Sequence, residues 1–414
     1  MRNIGLAFLL IGLGNPAHAT PTWDHPGLPP AVQVQAALLQ HPAILGARAG
    51  VRAGEAARAR LQAGEYETSL QLGAKKLDDN GQRYNEWQVG LERALRLPGK
   101  AEIDRRLGET GLAQAVTLHG DAIHETSRAL LKAWFAWGRE NAVARQWREQ
   151  VETLKEQLAL VEKRVRAGDA PRLEAGLAEA ALASAESARH QADLRERMAA
   201  NELTQGFGGI TLPTGLPLIE PVALEREADY WRNEILVHSH ELAVARIEAQ
   251  LARTGAERAE AERTPDPALG LNAGSGKSGN ERTLGVSISI PFSGAARSAR
   301  AAESLARSEA AAQREAAALQ KIRREADNAI AAAQSAWRVW ESAALAAARM
   351  RANAELMARA YALGEMALSE VLTARRLSQE TALAATLARL EAAESRYRLL
   401  LDAHQLWPLD DHAH

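Results

Sequence analysis

The chain has 414 residues, with 50 Lys and Arg against 52 Asp and Glu and a formal charge of −2, so no basic excess points to nucleic acid. Hydrophobic residues make up 46% but aromatics only 4%, and an alanine-rich balance of this kind suits close packing of long helices better than a wide globular core. Cysteine is absent, which excludes disulfides, thiolate metal sites and a lipid-modified N-terminal cysteine.

Arg2 precedes the apolar run Ile4 to Leu13, and Ala17-His18-Ala19 has the small-x-small pattern of a cleavage site. Residues 1–19 are therefore expected to be a secretory signal peptide, the apolar run being short for a bilayer anchor. No later stretch reaches eighteen apolar residues. Export then leaves two outcomes, a soluble periplasmic protein or a strand-built outer-membrane protein.

After a proline-rich arm from Thr20 to Pro30, a first helix is expected from about Val32 to Ala63, with His41-Pro42 near its start. The period then changes to two. Tyr66, Thr68, Leu70, Leu72 and Ala74 alternate with Glu67, Ser69, Gln71 and Gly73, a strand over about 66–76, and Asp78-Asp79-Asn80-Gly81 makes the turn. The return strand, about 84–97, puts Trp87, Val89, Leu91, Leu95 and Leu97 on one face, with Arg93 as a charge among them. Tyr66, Tyr84 and Trp87 are candidate interfacial aromatics.

Leu97-Pro98-Gly99-Lys100 opens a long helical run to about Arg166, striped by Leu154, Leu158, Val161 and Val165. Ala167-Gly168-Asp169-Ala170-Pro171 stops it, and a return helix runs from Pro171 to about Thr204. A Gly- and Pro-rich linker occupies 206–223.

The pattern then repeats. A helix from about Leu224 to Arg263 precedes strands at about 267–274 and 282–291, the second with Leu284, Val286, Ile288 and Ile290 on one face. From Ala295 to Leu363 no glycine or proline interrupts a helix of roughly 100 Å. A turn at about 363–366 leads to a last helix reaching about His404. Gly168 falls 70 residues after Pro98, and Gly364 falls 73 after Pro291. Two copies of helix, strand, strand, long helix, turn, helix, over 20–205 and 224–407 with a tail at 408–414, are the simplest description.

Strands of about ten residues with one apolar face have the length to cross a bilayer obliquely. Four of them cannot enclose water, since even eight-stranded barrels are filled by side chains. Several chains must contribute, and three would supply twelve strands. The fold class expected is mainly α with a membrane β-barrel portion, the trimer forming a 12-stranded barrel continuous with a long periplasmic α-helical barrel.

The duplicated order, the junctions Leu97-Pro98-Gly99-Lys100 and Ile290-Pro291-Phe292-Ser293-Gly294, and the turn Ala360-Tyr361-Ala362-Leu363-Gly364 resemble TolC-type outer-membrane efflux proteins over essentially the whole mature chain. Gln40-His41-Pro42 and the run Arg263-Thr264-Pro265-Asp266-Pro267-Ala268-Leu269-Gly270-Leu271 look most like the outer-membrane components of heavy-metal resistance pumps of the cobalt–zinc–cadmium kind. The resemblance implies a homotrimeric conduit in outer-membrane lipid that meets a periplasmic adaptor and an inner-membrane proton-driven pump of the RND type. It also implies periplasmic tip turns at Gly168 and Gly364, the second containing Tyr361; Arg164 and Arg359, just before the two turns, are placed either to pair across neighbouring helices or to serve as ordinary surface charge. An aperture carboxylate is implied at Glu370 and a gate-holding acid at Glu174, while Thr373 stands where a second aperture acid is usual. Converging carboxylates would attract cations and raise one another's pKa.

Other signals are set aside. Gly274-Ser275-Gly276-Lys277-Ser278-Gly279 lacks the phosphate-loop glycine, having Leu271 in its place, and leads into a strand instead of a helix. His238 and His240, two apart on an expected helix, point to different faces, and His412 and His414 sit in a terminal tail, so no metal site is assigned. No nucleophile and base are paired, and neither an enzyme nor a cofactor is expected. Drug efflux or type I protein secretion through the same kind of duct is the near alternative. A soluble periplasmic coiled-coil scaffold or adaptor is the alternative of another class, though it has no use for four amphipathic strands.

Overall fold

A computed structural model describes residues 25–64, 66–217 and 219–407. The expected signal peptide and the tail 408–414 lie outside the described residues.

Two short helices, α1 (Ala31–Gln40) and α2 (Pro42–Ala63), lead into a hairpin of β1 (Thr68–Asp79) and β2 (Gln82–Ala94). The 70-residue α3 (Pro98–Ala167) and the 35-residue α4 (Arg172–Gly206) follow. The second half repeats the order: α5 (Ala228–His238), α6 (His240–Ala261), β3 (Ala268–Gly276), β4 (Glu281–Ser289), the 68-residue α7 (Ala295–Ala362) and α8 (Leu368–Asp402). At 1.5 Å per residue, α3 and α7 are each about 100 Å long.

The expected helix 32–63 is broken at His41, whose backbone is extended and whose Nδ1 accepts the Ala43 N–H (3.3 Å). Pro42 is the first residue of α2, where the missing N–H carries no penalty. The helix expected over 224–263 is likewise two helices. Ser239 breaks it, its hydroxyl accepting the Leu242 N–H (3.2 Å) as an N-cap.

α3 packs on α4 and α7 on α8. In the first pair the seam is a heptad one: Ala144, Val151, Leu154 and Val161 are buried on α3 against Ala178, Ala185 and Ala192 on α4. Large side chains facing small ones bring the helices close, which explains the abundance of alanine. A wider core lies midway along the helices, where Leu130, Leu131, Trp134, Phe135 and Trp137 of α3 meet α1, the start of the linker and the end of α8. Trp134 Nε1 donates to Gly27 O (2.7 Å), and Tyr397 donates to Pro26 O (2.7 Å), tying down the N-terminal arm.

At the other end a buried charge network joins the helices to the sheet. Lys100, 2% exposed, sits 2.9 Å from Asp266 Oδ1, which also accepts the Leu97 N–H (3.1 Å). Asp104 is held between Arg96 (3.2 Å) and Arg258 (2.6 Å), and Arg297 reaches Glu262 (3.0 Å). Burial works against ionisation of Asp266, but the bonds from Tyr66, Lys100 and Leu97 outweigh it and keep the carboxyl below its ordinary range. Tyr66, expected as an interfacial aromatic, donates its hydroxyl to Asp266 in this network.

Candidate functional site: the sheet face and the helix turns

All four strands form one antiparallel sheet in the order β1-β2-β3-β4. The hairpin turn fits its residues, since Asn80 (φ 53°) and Gly81 (φ 85°) both take the left-handed backbone of a type I′ turn. Cross-strand register puts the two repeats' apolar faces on the same side. Leu70 pairs with Leu91, Leu91 with Leu271 and Leu271 with Val286; in the next row Leu72, Val89, Ala273 and Leu284 align. Arg93 interrupts a third row, between Thr68 and Leu269. On the opposite face Gln71, Gly90, Asn272 and Gly285 align, as do Gly73, Gln88, Gly274 and Thr283.

The apolar face is bare. Its leucines, Val286 and Ile288 run from 39% exposed at Leu269 to 87% at Leu284, while Val89 in the middle of the sheet is half-buried. A contiguous apolar patch of this extent marks a surface that meets lipid or another protein. The polar, glycine-rich side suits water. Among the described residues β1 and β4 each keep one edge with no strand beside it. Among the described residues, no helix is long and apolar enough to cross a membrane.

The two helix turns are built alike. Gly168 (φ 83°) and Gly364 (φ 80°) both take the left-handed conformation. Asp169 N bonds Arg164 O (2.8 Å) and Gly168 N bonds Val165 O (3.1 Å); Glu365 N bonds Ala360 O (3.0 Å) and Gly364 N bonds Tyr361 O (3.0 Å). The same pair of closing bonds recurs at the same offsets, and a residue with Cβ would be strained at either glycine. The next helix begins four residues after each glycine, which makes Glu174 and Glu370 equivalent third residues of α4 and α8. A carboxylate there is favoured by the helix dipole.

Three of the residues expected at the tip come together. Tyr361 donates its hydroxyl to Glu174 Oε2 (2.9 Å), and the Arg164 guanidinium lies 4.9 Å above the Tyr361 ring. Arg164 also donates to Asp169 O (3.4 Å). Burial, and then the hydrogen bond to Glu174, raise the Tyr361 pKa, so the phenol keeps the proton it donates. Glu370 stands apart. It is exposed, and its Oε2 accepts the Ala367 N–H (3.4 Å) at the start of its own helix. Thr373 is exposed and donates back to Ser369 O (2.8 Å).

A group that sequence reasoning missed is a set of histidines. His238 and His240 flank the break at Ser239, and with His124 and His404 their rings converge. The signal available was Ser239 itself, a preferred N-cap residue.

No family sequence model matches the chain, and no curated protein matches it. Solved structures do. A membrane protein from Pseudomonas aeruginosa superposes with a TM-score of 0.77 at 17% identity, covering 92% of each chain. The outer membrane protein VceC from Vibrio cholerae gives 0.73 at 17% identity, over 90% of this chain and 95% of that one. The open state of the Neisseria gonorrhoeae MtrE outer membrane channel gives 0.74 at 20% identity, over 91% and 89%. With its bare sheet face and paired long helices, the chain has the fold of the bacterial outer-membrane channels.

Proposed function

We propose that the chain is one protomer of a passive exit duct in the outer membrane. Three copies would supply the strands of a 12-stranded barrel and prolong it into a helical tube through the periplasm. The observation that carries this reading is the single sheet, apolar and bare across all four strands, mounted on helices of about 100 Å. A soluble scaffold would leave that face in water. The likeness to outer-membrane channels supports the same reading. The duct would open toward an adaptor and a proton-driven inner-membrane pump of the RND type, with heavy-metal cations as cargo.

Fractionation and growth test it. The mature chain is expected in the outer membrane, running in mild detergent as three copies, and its deletion is expected to lower tolerance to zinc, cobalt or cadmium. Recovery as a soluble monomer would overturn the duct. Lowered tolerance to drugs alone would transfer the cargo to drugs.

Within this reading the contact among Arg164, Tyr361 and Glu174 holds the periplasmic end closed, and three copies of Glu370 ring the aperture. Tyr361→Phe removes one hydrogen bond and keeps the ring under Arg164, so single-channel recording is expected to show a larger open fraction. Glu370→Gln keeps an acceptor for Ala367 N–H while deleting the charge. Its expected signature is a weaker preference for cations, with a stability loss of no more than about 1 kcal/mol from the missing charge at the helix start, and an unchanged preference would remove the aperture role.

A further inference from the structure

Four imidazoles from separate parts of the chain meet where three helices and the end of α8 come together. His124 lies within α3, His238 ends α5, His240 begins α6, and His404 follows α8 in a left-handed backbone conformation (φ 54°). The His404 ring is the hub: its centroid lies 5.1 Å from that of His238, 5.0 Å from His240 and 5.3 Å from His124. His124 and His240 are 5.9 Å apart. Space for the His240 ring is left by Gly120, where a Cβ would fall 2.6 Å from the ring's Cε1.

Two of the rings are oriented by the main chain. His124 Nε2 is 3.2 Å from Leu401 O, and His238 Nδ1 is 3.0 Å from Glu234 O, so each uses one N–H on a carbonyl. Among the described residues no group of three or more His, Cys, Asp or Glu is placed to hold a metal ion. The cluster is therefore read as a contact between rings. Neutral imidazoles tolerate such packing, while charged ones at about 5 Å repel.

The charges around the cluster do little to relieve that repulsion. From α8, Asp402 is 3.7 Å from His124 but is already bonded to Arg128 (2.8 Å) and Arg398 (2.9 Å). On α3, Glu125 pairs with Arg128, and burial, with Glu125 nearby, raises the Asp121 pKa. Glu241 of α6 is 2.7 Å and Glu325 of α7 is 3.8 Å from Lys321. Glu234 lies 3.9 Å from His238 Nδ1. Burial, then Arg128, then His404 push the His124 pKa down to about 2, far below the usual 6.5.

We propose that these four histidines form an acid-sensitive clasp, holding α3, the α5–α6 corner and the segment after α8 together when neutral and releasing them when protonated. The sign follows from linkage. The unfolded chain takes up the His124 proton near pH 6.5 while the folded chain keeps that ring neutral, so this contribution is full above that pH and is lost as pH falls below it. The clasp does not depend on the duct reading, since it concerns how one chain holds itself together.

The test uses the full mature chain in detergent, followed by hydrogen exchange and thermal unfolding from about pH 7.5 down to about pH 5. Exchange at the amides of Ala403, His404 and Gln405, corrected for its intrinsic rate, is expected to speed by at least about tenfold relative to the heptad seam of α3. His404→Asn, which tolerates the left-handed backbone, and His124→Gln, which keeps a donor for Leu401 O, are each expected to flatten this pH response. Equal pH slopes in the variants and the parent would overturn the clasp. Should neither variant fold, unchanged protection of these amides in the parent at about pH 5 would overturn it alone.

Discussion

Replacing Asp266 by alanine is expected to destabilise the folded chain by about 3–5 kcal/mol, because it takes from the buried Lys100 ammonium its nearer carboxylate and leaves Glu262 at 3.7 Å. Lys100 is 2% exposed and Asp266 10%, so water does not replace the lost partner. The Leu97 N–H at the start of α3 and the Tyr66 hydroxyl lose their acceptor in the same step. Denaturant unfolding followed by helical circular dichroism would measure the loss. A double variant, Asp266→Asn with Lys100→Met, removes both charges together and is expected to recover more than half of it. A single-variant cost under about 1 kcal/mol would show that the pair does not hold the junction. Since the Asp266 carboxyl is held below its ordinary 3.8, this stabilisation is present above that pH and disappears as acid protonates the folded carboxylate.

Val286→Arg is expected to prevent stable insertion, whereas Ser287→Arg, one residue on, should leave it intact. The two neighbours point to opposite sides of the sheet: Val286 continues the row Leu70, Leu91, Leu271, and Ser287 faces the polar side beside Gly270. An arginine on a lipid-facing site near the bilayer midplane costs about 2–4 kcal/mol, while a lumen-facing one meets water. The yield of outer-membrane protein and its resistance to unfolding in cold SDS would separate them. Equal behaviour would mean that the bare face does not meet lipid.

Much of the architecture was legible because it is written in local periods. Alternation of Leu284, Val286, Ile288 with Gly285, Ser287 marks a strand in isolation, and an unbroken stretch from Ala295 onward marks a long helix. The glycines at both turns were legible for the same reason. The helix breaks at His41 and Ser239 carry only weak local signals, Pro42 after the one and an N-cap residue type at the other, which become decisive once each side chain is seen capping the next helix. Pairings across long separations carry no period at all. Nothing near Leu91 announces Leu271, and nothing near Tyr361 announces Glu174, although both members of the second pair had been singled out. The bond from Tyr66 is hidden on the same account: its partner Asp266 is 200 positions away.

The two open edges of the sheet carry a consequence for biogenesis. Backbone donors and acceptors along β1 and β4 will bind any extended strand that reaches them, and the greasy face beside them favours clumping in water. If copies assemble as proposed, each is most vulnerable before it joins the others. On the duct reading, overproduction that outruns assembly is therefore expected to end in aggregates.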